Sequence, residues 1–158
     1  MSKVNITRII CYLLLVFWML VIFVMSAQPA YESSQISGGI VSKIIAAFLH
    51  NFDSLSAENQ ENITHIVTII VRKTAHFLEF FVLGALAFLS ALMHKKYIFK
   101  IKIVSSFIFC LLYAISDEIH QLFVQGRACR IGDVCIDAAG SLVAIMLLGL
   151  IVYFKKRR

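Results

Sequence analysis

The sequence predicts an all-α polytopic membrane helix bundle: four transmembrane helices plus an amphipathic helix in an extracytoplasmic loop. Three observations carry this reading. Of the 158 residues, 60% are hydrophobic, well above the ~45–50% of soluble domains. Four apolar runs, about 9–25, 74–93, 103–119 and 131–154, have the length of ~17–25 residues that crosses a hydrocarbon core. The basic residues behind the net charge of +6 sit in short clusters beside those runs. There they set topology and meet anionic membrane lipid; nothing in the pattern points to nucleic acid. Residues 1–158 are expected to form a single membrane domain.

Each element has its own warrant. Lys3 and Arg8 precede the first run, which exceeds the ~7–15 residue core of a signal peptide. Met25-Ser26-Ala27 is a poor small-x-small cleavage site, so the run is read as a retained helix containing Trp18. The loop 26–73 opens with SAQPAYESSQISGG, where Pro29 and Gly38-Gly39 predict an irregular exit. Ile36, Ile40, Val41, Ile44, Ile45, Phe48, Leu49 and Phe52 then recur at helical spacing. They predict an amphipathic helix over about 36–52, lying on the membrane interface or packed on the bundle itself. Ser56 is the expected N-cap of a helix from Ala57 into the second span, with Glu58 and Glu61 in its first turns. His94, Lys95, Lys96, Lys100 and Lys102 make a basic hinge before the third span. The loop Gln121–Arg130, with Gly126 inside it, leads to the fourth. Lys155, Lys156, Arg157 and Arg158 close the chain. With Lys3, Arg8 and the hinge lysines on one side, and only Lys43, Arg72, Lys73, Arg127 and Arg130 on the other, both termini are expected in the cytoplasm. Of the four cysteines, Cys11 and Cys110 lie within apolar runs, and Cys129 and Cys135 lack metal-ligand spacing.

The stretch SDEIHQLFVQGRACRIGDVCIDAAG, 116–140, concentrates ionisable residues between two spans. Charges at a bilayer boundary are expensive and mark functional sites by default. Depth can be counted at ~1.5 Å per residue from each cytoplasmic boundary. Glu79 then lies ~21 Å and His76 ~25 Å along the second span, Asp117 ~21 Å and His120 ~25 Å along the third, and Asp137 ~25 Å and Asp133 ~31 Å along the fourth. Acids and histidines of three helices thus reach one level, in the outer leaflet of a core ~30 Å thick. Lys73, His76 and Glu79 share one side of the second span, Asp117, His120 and Gln121 one side of the third, and Asp133, Asp137 and Gly140 one side of the fourth. Ala138, Ala139, Gly140 and Ser141 allow close helix approach.

These residues carry a resemblance. Lys73-x-x-His76-Phe77-x-Glu79, Ser116-Asp117-Glu118-x-His120-Gln121-x-Phe123, Gly126-Arg127 and Asp133-Val134 with Gly140 following, together with Ser26-Ala27-Gln28-Pro29 and Glu32-Ser33-Ser34, resemble the VanZ-like family of bacterial membrane proteins. The match runs from the first span onward in the family's order and spacing. Asp137 departs from it, standing where many members carry Asn. The resemblance implies multi-pass residence in the bacterial cytoplasmic membrane, near cell-wall precursors. It also implies a phenotype, low-level resistance to the glycopeptide teicoplanin. It supplies no reaction.

On the residues themselves, His76, Glu79, Asp117, Glu118, His120, Asp133 and Asp137 are the candidates for proton transfer. Lys73, Gln121, Arg127 and Arg130 are the candidates for holding substrate, with the basic groups suited to a phosphate or carboxylate such as a lipid-linked cell-wall precursor presents. The same residues can equally form an ionic network that only glues helices, pairing Glu79 with Lys73 or Asp133 with Arg127 or Arg130. The i,i+3 pairs His76–Glu79 and Asp117–His120 permit a metal site on two helices, but Lys73 opposes a cation. No metal or cofactor is therefore assigned. There is no Gly-rich phosphate loop and no Gly-x-Ser-x-Gly elbow. A transporter would place its ionisable groups nearer the midplane and show an inverted repeat. A small accessory protein remains a further reading. Whether the site catalyses or only binds, and the oligomeric state, stay open at this point.

Overall fold

A computed structural model of the chain describes residues 3–94 and 96–157, without the side chains of Lys3, Val4, Asn5, Ile36 and Lys156. Lys95 and Arg158, read above as parts of the basic clusters, lie outside the described residues, as do the side chains of Lys3, Ile36 and Lys156. The elements are α1 (Lys3–Ser26), α2 (Ala30–Phe48), a 3₁₀ turn (Phe52–Ser54), α3 (Ala57–Leu92), α4 (Phe99–Gln121) and α5 (Ile131–Arg157). Among the described residues there is no strand. Four helices are long and apolar enough to cross a membrane: Ile6–Ser26 within α1, all of α3, all of α4, and Ile131–Lys155 within α5. The all-α class with four spanning helices is the class the sequence predicts.

The helix starts follow from local chemistry. Ser56 Oγ accepts the Asn59 backbone N–H at 3.4 Å, satisfying one of the donors that a helix N-terminus leaves free. Pro29, at φ −52°, precedes α2 with its backbone already set for helix entry. Here the structure departs from expectation. The loop helix begins at Ala30 rather than near 36 and ends at Phe48 rather than 52, and Gly38-Gly39 lie inside it. Each interior glycine costs a helix about 1 kcal/mol. Tertiary packing outweighs that cost here: Ser37, Val41 and Ile45 are buried where α2 lies on α3. Of the two placements open to this helix, its inner face packs on the protein itself, while Ile40 and Phe48 stay exposed on the outer face.

Helix α3 is the axis of the molecule and touches all four other helices, α5 most extensively. Its 36 residues span about 54 Å, far beyond a ~30 Å core. Its first half therefore extends past the apolar layer and forms the platform for α2. Leu15 and Ile22 of α1, Phe80, Leu83 and Ala87 of α3, and Cys110 and Ala114 of α4 form a buried cluster. The α3–α5 contact is set by two glycines. A Cβ at Gly140 would run into the Phe77 carbonyl, and one at Gly84 would lie 2.5 Å from the Ser141 carbonyl oxygen. No larger residue fits at this spacing.

The bundle has two distinct ends. At the hinge end, Arg8 donates to the Met93 carbonyl at 3.1 Å and the Tyr12 hydroxyl bonds the His94 ring. At the loop end, the Ala30 N–H donates to the Gln125 carbonyl at 3.1 Å, joining the start of α2 to the α4–α5 loop. Gly126 turns that loop at φ +75°, a conformation that disfavours any side chain. All the ionisable residues predicted to share one depth lie toward this loop end.

Candidate functional site

The site is built where α1 ends and α5 begins, beneath α2. Asp117 of α4 is buried. Its Oδ2 accepts from Ser26 Oγ at 2.8 Å and from Gln121 Nε2 at 3.0 Å. Gln121 Oε1 in turn accepts from Arg127 Nη1 at 3.5 Å. Arg127 then reaches the end of α1, donating from Nε to the Gln28 carbonyl at 2.9 Å and from Nη2 to the Met25 carbonyl at 3.3 Å. A cation on the last carbonyls of a helix satisfies acceptors that the helix itself leaves free. This chain of bonds ties α1, α4 and the α4–α5 loop into one unit. Burial pulls the Arg127 guanidinium below its ordinary pKa and Arg72 adds to the effect, while Asp117, Glu79 and Glu118 oppose it. The group remains a cation.

Two further ties close the unit. Glu118 Oε2 accepts the Arg130 backbone N–H at 2.8 Å, pinning the loop just ahead of α5. Lys73 Nζ meets Asp133 Oδ1 at 3.1 Å, joining α3 to α5. The pairings anticipated from the sequence, Glu79 with Lys73 and Asp133 with Arg127 or Arg130, are not the ones formed. Lys73 and Asp133 take each other because the two helices approach at glycine contact distance, which brings their outer turns together.

A second set of groups has buried atoms without a partner: both oxygens of Asp137, Nδ1 of His76 and of His120, and Oε1 of Glu118, whose other oxygen is bonded. Asp137 is fully exposed to neither water nor a donor: its side chain is 0% accessible, and neither carboxylate oxygen has a hydrogen-bond partner. His76 Nδ1 stands 3.7 Å from Asp137 Oδ1, too far for a hydrogen bond, and it too is unpartnered. Asp117, Glu118, Glu79 and Asp133 all lie near enough to act electrostatically on Asp137. Buried polar atoms are nearly always bonded, and exceptions call for an explanation such as an unseen ligand or a functional role. A cavity of about 170 Å³ opens beside this pair. It is lined by His76, Glu79, Arg72 and Arg127 together with Ser26, Ser33 and Ser37 among others. Trp18 braces its wall, donating its indole N–H to the Glu79 carbonyl at 2.9 Å.

The structure therefore sorts the predicted residues. His76, Glu79 and Asp137 stand at the cavity or directly behind it. Asp117, Gln121, Arg127, Glu118, Lys73 and Asp133 make the ties around it, with Arg127 also lining it. Arg130 lies on the loop side, between smaller recesses. His120 turns onto α1, stacked on Phe23 with ring centroids 4.4 Å apart. The i,i+3 pairs thus separate, and among the described residues no group of three or more His, Cys, Asp or Glu is arranged to hold a metal ion. Arg72 was read from the sequence only as a topology charge. Its spacing to His76 and Glu79, at i+4 and i+7, is the signal that places it on the same helix face. Ser26 was visible only through the exit motif of the family resemblance.

Chemically, the arrangement offers an imidazole on the cavity wall with a buried carboxyl group 3.7 Å behind it. Cations and hydroxyls stand on the facing wall. A protein-family model described as VanZ/LLP1 matches residues 10–152 of the chain. No curated protein and no solved structure matches it.

Proposed function

This chain belongs to the VanZ/LLP1 family, and on that footing we propose that its cavity receives the polar head of a cell-envelope substrate at the outer face of the bacterial cytoplasmic membrane. In this reading residues 1–158 act as one membrane domain with both termini in the cytoplasm. The loop end of the bundle then faces outward. The substrate class is a lipid-linked cell-wall precursor, and the expected phenotype is glycopeptide (teicoplanin) resistance. His76, Glu79 and Arg127 contact the ligand from the walls, Asp137 acts from behind through His76, and Asp117, Gln121, Glu118, Lys73 and Asp133 hold the frame.

The observation that carries this reading is the unpartnered His76–Asp137 pair, whose His76 lines an open cavity of mixed apolar and polar character. Residues that serve only to glue helices are expected to be satisfied. The Ser26–Asp117–Gln121–Arg127 chain and the Lys73–Asp133 pair meet that description. A purely structural role suits those residues and leaves His76 and Asp137 without a reason to be there.

The test is teicoplanin susceptibility of a susceptible Gram-positive host expressing wild type, His76→Gln or empty vector, with membrane-inserted protein quantified. Wild type is expected to protect and His76→Gln, inserted in equal amount, to lose the protection. Wild type indistinguishable from vector would rule out the glycopeptide phenotype. Full protection by His76→Gln would return the cluster to a structural role.

A further inference from the structure

Next to the cavity of His76 and Glu79 lies a smaller recess of about 60 Å³. Arg72, Arg127, Arg130, Ser33 and Ser34 line it, along with Gln121. Arg72, Arg127 and Ser33 line both spaces, so the two are adjoining chambers. Three arginines from two separate segments, the middle of α3 and the α4–α5 loop, converge here. Among the described residues, none of their guanidinium groups is in an ion pair. Those of Arg72 and Arg130 make no hydrogen bond either, and Arg127 spends its bonds on carbonyl and amide oxygens. Arg72 and Arg127 are close enough to repel each other. Like charges gathered around a recess cost free energy unless an anion takes up the field.

We propose that Arg72, Arg127, Arg130 and Ser33 form a phosphate subsite, which places a phosphate ester of the substrate beside His76 and Asp137. The recess has the right size. One water needs roughly 10–15 Å³ of such space, so a recess of about 60 Å³ has room for a small anion. The chemistry fits as well. A guanidinium presents paired N–H donors that match two phosphate oxygens, and Ser33 on the first turn of α2 adds a hydroxyl. Asp117 accepts from Ser26 and Gln121 and not from an arginine; Arg127 places three of its five N–H donors on Gln28, Gln121 and Met25 and keeps two for an anion. The inference rests on the cavity being a substrate site and names the chemistry of what enters it.

The sole tryptophan, Trp18, is bonded to the Glu79 carbonyl and reports on the chamber through its fluorescence. The full chain in phosphatidylcholine nanodiscs is titrated with inorganic phosphate, farnesyl phosphate and farnesol. Wild type, Arg72→Gln, Arg72→Lys and Lys43→Gln are compared, Lys43 being an exposed cation on α2 away from the recess. Farnesyl phosphate is expected to bind wild type and Lys43→Gln alike, and to bind Arg72→Gln about ten- to a hundredfold more weakly. Arg72→Lys, which keeps the charge and loses the paired donors, is expected in between. It carries the comparison if Arg72→Gln loses the native Trp18 emission. Binding of inorganic phosphate as well would mean that the anion alone suffices; binding of farnesyl phosphate alone would assign the site to a lipid headgroup. Farnesol binding as tightly as farnesyl phosphate, Arg72 variants equal to wild type, or no response to any phosphate probe would each overturn the subsite. A failure here with His76→Gln still abolishing protection in cells would leave the cavity functional with a non-phosphate ligand, so the two readings fail separately.

Discussion

At the scale of residues, two buried aspartates one helix apart have opposite circumstances. Asp117 accepts two hydrogen bonds and lies at the head of the chain that ends on α1. Asp137 accepts none. Removing one partner of a buried bond leaves the other unsatisfied, at a cost of about 1–3 kcal/mol. Asp117→Leu is therefore expected to lower unfolding stability in detergent by about that amount, because the Ser26 hydroxyl and the Gln121 amide lose their acceptor. Asp137→Asn takes no hydrogen bond away, because neither oxygen of Asp137 has a donor, so it is expected to leave stability unchanged or higher. Thermal unfolding of the two variants checks both. Equal losses at the two positions would show that Asp137 is as structural as Asp117. From sequence alone these aspartates looked alike, since depth and helix face do not reveal which carboxylate finds a donor.

At the scale of elements, the α3–α5 contact decides how the site is assembled. Gly140→Val is expected to push α5 off the Phe77 carbonyl, to break the Lys73–Asp133 pair, and to cost about 1–3 kcal/mol or more. The loss would be seen as reduced folded protein in membranes, and a normal yield with normal unfolding would refute the spacing argument. The spanning helices were legible in the sequence because ~20 apolar residues between basic clusters leave few alternatives. The small run 138–141 also announced close packing. The extent of α2 was not legible. Gly38-Gly39 read as a break, and only the packing of Ser37, Val41 and Ile45 on α3 holds that segment helical. The ion-pair partners and the turn of His120 onto Phe23 were equally hidden. They depend on rotamers and interhelical distances, which periodicity does not encode. Arg127 read as a substrate clamp or as a partner of Asp133, but two of its three bonded nitrogens hold the end of α1.

At the scale of the whole molecule, the account requires the loop end to face outward. Cys129 lies exposed in the α4–α5 loop, Cys135 is exposed near the start of α5, Cys11 is half-buried and Cys110 is buried, so the experiment is made in a Cys135→Ser background. A membrane-impermeant maleimide added to intact cells is expected to label Cys129 and to lose its target in Cys129→Ser. Labelling only after permeabilisation would invert the topology and move the cavity to the cytoplasm. Within that frame the bonded ring of Ser26, Asp117, Gln121, Arg127, Lys73 and Asp133 fixes the helices, while Asp137 is a buried carboxylate with neither oxygen bonded; on the proposed reading the two do different work. The most direct test of this division is the protection that Asp137→Leu, which removes both oxygens, confers per inserted molecule in the teicoplanin assay, relative to wild type. The account predicts a variant that inserts and folds as wild type does and protects no better than empty vector. Protection in simple proportion to the amount of inserted protein would contradict it.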